Sequence, residues 1–123
     1  MSNTEAKTEA MRYVSNATQI LSEKAKKEGK YYSDKKYVKM AGNTLWNGVL
    51  VALDHKYPEI RTGKGWPDQS KYKQVIKDGK ASKMFDAGYE VCHLSMGYDG
   101  ILYVDTVKSG VNIAKELISW ATQ

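Results

Sequence analysis

The chain has 123 residues, 41% hydrophobic and 27% charged, which suits one domain with a packed core and argues against a disordered chain. Cys92 is the sole cysteine, which excludes an intrachain disulfide and any multi-cysteine zinc or iron–sulfur site. The net charge of +5 comes from one stretch, residues 24–39, where seven lysines face Glu28 and Asp34, and the remainder balances.

The opening MSNTEAKTEAMRYV contains acids and no apolar run, so it is not a signal peptide. From about residue 4 to 28, Ala10, Val14, Ala17, Leu21 and Ala25 recur at spacings of three and four, with Arg12, Thr18 and Gln19 between them. This predicts an amphipathic helix stopped at Gly29. Ser33 is placed to cap a second helix, with Asp34 in its first turn against the positive end of the dipole. That helix takes DKKYVKMAGNTLWNGVLVALDHKY, and Tyr37, Ala41, Thr44, Leu45, Gly48 and Ala52 form its stripe. Gly42 and Gly48 each cost it about 1 kcal/mol relative to alanine, which close approach of a neighbouring helix would offset. His55 at its end suits the dipole as a cap.

Pro58 and Pro67 bracket EIRTGKGW, the longest irregular segment. Asp68 is placed to cap a short helix, QSKYKQVIK, that DGK at 78–80 ends. A further helix takes about 80–97, GYDG is turn chemistry, and ILYV at 101–104 reads as an extended lead-in because no partner strand is evident. The last helix follows Asp105 or Thr106, with Val107, Val111, Ala114, Ile118 and Ala121 as its seam. Helices of roughly 16–25 residues are about 24–38 Å long, and short connections make neighbours antiparallel. The expected fold is therefore all-α, a single domain over residues 1–123. It is an antiparallel up-and-down four-helix bundle with a short extra helix between helices 2 and 3. No run is long and apolar enough to span a bilayer, so a cytoplasmic protein with no membrane partner is expected.

In that topology the first and third connections share one end, which places the lysine tip beside GYDG. Tyr32, Lys35, Tyr37, Lys39, His93, Tyr98 and Asp99 are then the candidate ligand-binding residues. Tyrosines among lysines can stack on bases and attract phosphate, or they can simply cover the end of a bundle. Of the 19 basic residues 17 are lysine, whereas base readout favours planar arginine, so no DNA readout is expected. Winding 83–98 at about 100° per residue puts Met84, Phe85, Gly88, Val91, Cys92, Ser95 and Met96 on one apolar arc. His93 falls outside it, beside Asp86 and Glu90 and with Tyr89 at the border. Neighbours on a helix diverge, so Cys92 and His93 form neither a chelating pair nor a thiolate–imidazole dyad. Cys92 is expected to pack and His93 to face outward. Glu90 and His93 are too few ligands for a metal, and neither a phosphate-binding glycine loop nor a nucleophile elbow is present. No metal, no cofactor and no catalytic residue are expected.

The segments DKKYVKMAGNTLWNGVLVALD, AGYEVCHLSMGYDG and VKSGVNIAKELISW resemble a small bacterial domain family of unknown function. More distantly, about residues 10–121 resemble the HEPN superfamily (higher eukaryotes and prokaryotes nucleotide-binding domains). That resemblance implies an up-and-down four-helix bundle, frequently dimeric, partnered with minimal nucleotidyltransferases or acting as a metal-independent RNase. The RNase branch pairs an arginine with a histidine on the third helix. His93 matches the histidine, but Asp86 stands where the arginine belongs and would repel phosphate. A non-catalytic binding protein is therefore expected, forming a homodimer or engaging a bacterial protein partner. The alternative is a nucleotide- or RNA-binding domain, a degenerate RNase, working at the Lys/Tyr-rich end near His93.

Overall fold

The computed structural model describes residues 1–60 and 68–123, and helix predominates among them. Helix α1, Asn3–Ile20, opens on a reciprocal cap: Glu5 N–H donates to Ser2 Oγ and Ser2 N–H donates to Glu5 Oε1, both at 3.1 Å. Ala6, Ala10, Val14 and Ala17 are buried, and the stripe continues through Leu21 and Ala25 in a π-helical turn, Leu21–Ala25. Lys26 N–H closes that turn on Leu21 O at 3.0 Å. The helix ends sooner than the expected residue 28. Lys26 turns to a φ of 52°, and strand β1, Lys27–Glu28, pairs antiparallel with β2, Tyr31–Tyr32. Gly29, at φ 64°, therefore serves a hairpin turn and not a helix stop.

Helix α2, Lys35–Lys56, is capped by Asp34, not Ser33, and the Asp34 carboxylate accepts Lys36 N–H at 3.0 Å. Ser33 N–H is instead engaged by the carbonyls of Ala25 and Lys26. A 3-10 turn follows, Pro58–Ile60. The rest of the expected loop, including Trp66, lies outside the described residues. Asp68 caps helix α3, Gln69–Val75, and Asp78 caps α4, Gly79–Gly88, accepting Ala81 N–H at 2.9 Å. The α4 rod continues as π-helix through Tyr89–Met96, with Gly97 N–H on Cys92 O at 3.0 Å and Asp99 N–H on Leu94 O at 2.8 Å.

The 101–103 segment has a partner after all. Tyr31 bridges Tyr103, Tyr32 N–H donates to Leu102 O at 2.8 Å, and Val104 N–H donates to Lys30 O at 2.9 Å. With the hairpin supplying these bonds, helix α5 begins at Val104, ahead of the expected Asp105 or Thr106, and runs Val104–Ala121.

The core forms where the rods meet. α2 packs on α1, on α5 and on the π-helical segment, and α5 also packs on α1 and α4. At one end Asn3 Oδ1 accepts from His55 Nε2 at 2.8 Å while Asn3 Nδ2 donates to Gln123 O at 3.1 Å. His55 thus does more than suit a dipole: it ties the end of α2 to the start of α1. The hairpin and residues 97–103 gather at the other end. No described helix is long and apolar enough to cross a membrane.

Candidate functional site

Between α2, α3 and the α4 rod lies a groove of about 340 Å³. Its floor is aromatic. Trp46 packs against Phe85 at 5.4 Å, Tyr89 at 5.8 Å and His93 at 6.5 Å between ring centroids, and Tyr89 lies 5.0 Å from His93. Phe85 rests in turn on Tyr72 at 6.0 Å, whose hydroxyl donates to Asp54 Oδ1 at 2.8 Å. Asn43 and Asn47, one turn apart on α2, line the groove together with Asp68 and Gln69, and all four are exposed. Beside the groove Lys73 Nζ reaches Asp86 Oδ2 at 2.8 Å and Ser82 Oγ at 2.6 Å, locking α3 to α4.

The π-helix places the histidine here. A π turn advances fewer degrees per residue than the α-helical winding, so His93 swings back over Tyr89 and onto Trp46. It is half-buried in the groove wall, which corrects its expected outward position. Gly42 permits the contact between α2 and this segment. A Cβ there would stand 2.5 Å from Met96 Cβ and 2.7 Å from Cys92 O.

The seven candidate residues do not form one site. Lys35 and Lys39 do meet the 98–100 turn, since a Cβ on Gly100 would touch Cγ of both. Tyr98 (76% exposed) and Asp99 precede that glycine in the open. Tyr37 is half-buried against the core, with Lys36 Nζ 5.3 Å from its ring. Tyr32 is buried and lines a different cleft, between α1 and α5. His93 belongs to the Trp46 groove, whose Asn43, Trp46, Asn47, Gln69 and Tyr72 are not among those seven. The amide-flanked tryptophan in NTLWN was the local signal available for them. Among the described residues, no three His, Cys, Asp or Glu side chains stand close enough to hold a metal ion.

The family model described as "Domain of unknown function (DUF5618)" matches residues 5–123. The chain belongs to this family. A protein of unknown function from Dyadobacter fermentans has the same fold, with a TM-score of 0.92 and 43% identity over 99% of this chain and 98% of that one. No curated protein matches.

Cys92 of the DUF5618 chain is fully buried, and its Sγ–H donates to Gly110 O at 3.3 Å. Burial pushes the thiol up from its ordinary value of 9.0 to about 12. The native state therefore disfavours the thiolate, while the unfolded chain does not. The stabilisation is complete below pH 9 and is lost as pH rises towards about 12. A pH series of unfolding midpoints should fall through that window, and Cys92→Ala should flatten the fall. In native protein at pH 8, a thiol reagent should react only as fast as the chain opens.

Proposed function

We propose that this chain is a non-catalytic binding domain, built as an up-and-down bundle of α1, α2, the α4 rod and α5, whose recognition site is the Trp46 groove. The observation that carries this reading is the cluster of Trp46, Tyr89 and His93 rings under a rim of carboxamides. Such a surface offers a partner an apolar floor with hydrogen bonds at its edge, the make-up of a protein-recognition patch. His93 is held by the two neighbouring rings, and Cys92 is sealed in the core, which supports recognition over chemistry. The partner is a second copy of the chain or another protein inserting an apolar or planar side chain. Sedimentation equilibrium should show a species of twice 13.8 kDa, or a complex with that partner. Asn47→Arg at the exposed rim should disperse it with the helical signal unchanged. A strict monomer at every concentration, with nothing recovered in a pull-down, would refute the proposal.

One observation favours a second reading, nucleotide or RNA binding, which the HEPN resemblance also implies. Lys35, Lys39 and Asn43 repeat every four residues along one face of α2. The lysine stems lie over Gly100, Asn43 Nδ2 donates to Gly97 O at 3.3 Å, and the row leads to Trp46. Phosphates at the lysines and a base on the rings would follow this track. Affinity for single-stranded RNA should then fall with salt at a log–log slope of about −0.7 per phosphate contact, and Lys35→Glu with Lys39→Glu should abolish binding. Indifference to both would remove this reading.

A further inference from the structure

A second cleft, of about 240 Å³, lies between α1 and α5 under the hairpin. It is smaller than the roughly 300–1,000 Å³ typical of sites for drug-sized ligands, so it suits a slender small molecule. Its walls are apolar: Leu21 from the π turn, Val104, Val107 and Val111 from α5, and the ring of Tyr32. The two hydroxyls on its α1 side are turned to their own helix, Thr18 Oγ1 donating to Ser15 O at 2.9 Å and Ser22 Oγ to Gln19 O at 3.3 Å. The polar groups left to a ligand are the Tyr32 phenol and the exposed Lys27 and Lys108 at the mouth. Tyr32 is 6% exposed, and burial alone pushes its phenol above the ordinary value. It forms no hydrogen bond through its hydroxyl with any described residue.

We propose that this cleft binds an aliphatic carboxylate. One carboxylate oxygen accepts the Tyr32 O–H, the head group sits beside the Lys27 and Lys108 ammonium groups, and the chain lies along Leu21, Val104, Val107 and Val111. The Tyr32 ring is part of the oily wall while its hydroxyl still reaches solvent with no acceptor from its own protein, so it is open to a ligand, and an anionic acceptor gives the stronger bond. Two cations and no carboxylate line the cleft, so an anion is preferred over an amine on the same chain. The site is separate from the Trp46 groove and stands or falls independently of it.

Hexanoate, octanoate and octylamine titrated into the full chain, followed by amide NMR shifts, test this. Octanoate should move the amides of Tyr32, Val104 and Val111 and bind on the order of tenfold tighter than hexanoate, about fourfold for each methylene buried. Octylamine should leave them in place. Tyr32→Phe keeps the ring and should weaken octanoate by about tenfold or more, the loss of a charge-assisted hydrogen bond. Lys27→Gln with Lys108→Gln should weaken it several-fold and reduce its salt dependence, and these exposed positions keep the test open if Tyr32→Phe misfolds. Octanoate without effect at millimolar concentration would overturn the proposal. So would an equal response to octylamine, shifts spread over the whole surface, or undiminished binding by the Tyr32 and lysine variants.

Discussion

Phe85→Ala is expected to cost about 3–5 kcal/mol of folding stability. Phe85 is fully buried between Trp46 and Tyr72, so its removal leaves a void that two large rings cannot close without leaving their own partners. Against a total of roughly 5–15 kcal/mol for a domain, this is a large share. Urea titration should show the midpoint falling steeply with little change in slope. Phe85→Leu, which keeps much of the volume, should lose less. The same substitution loosens the floor of the groove, so association through Trp46 should weaken in any variant that still folds. A loss under about 1 kcal/mol would mean that the ring supports neither the core nor the site.

The helical rods were legible because their burial is periodic. Ala10, Val14, Ala17, Leu21 and Ala25 are all buried, as their spacing of three and four requires. Gly42 and Gly48 also kept their expected meaning, each lying where a neighbouring helix comes too near for a Cβ. The tip was not legible. Two-residue strands carry no periodicity, and lysine is a good helix former, so the sequence after Ala25 read as a continuing helix. Tyr32 and Lys35 are three residues apart yet serve different surfaces, because a strand ends at one and a helix begins at the other. His93 was misplaced for a related reason: a π segment follows from tertiary packing, and a fixed 100° winding cannot anticipate it. The groove draws Trp46, Tyr72 and His93 from three elements, and their meeting is written in no local stretch.

Gly42→Ala should lower stability although it improves helix propensity by about 1 kcal/mol. The new Cβ would meet Met96 Cβ at 2.5 Å, Gly97 N at 2.6 Å and Cys92 O at 2.7 Å. Two of these atoms are backbone, and they already bond to each other, Gly97 N–H to Cys92 O at 3.0 Å. Neither can retreat without disturbing the π segment that carries His93. Overpacking of this kind costs about 1–3 kcal/mol for a methyl and should exceed the propensity gain, while Gly42→Val should cost about 3 kcal/mol or more. Gly79 supplies the control. It opens α4 with nothing within 4 Å of a Cβ and no positive φ, so Gly79→Ala should stabilise by about 0.4–1 kcal/mol. The same chemical change then has opposite signs at two helix positions, decided by what stands across from each. Thermal denaturation of the two variants side by side reads that sign directly. If Gly42→Ala gained stability as Gly79→Ala does, the π segment would have room to move off α2, and the placement of His93 on Trp46 would lose its cause.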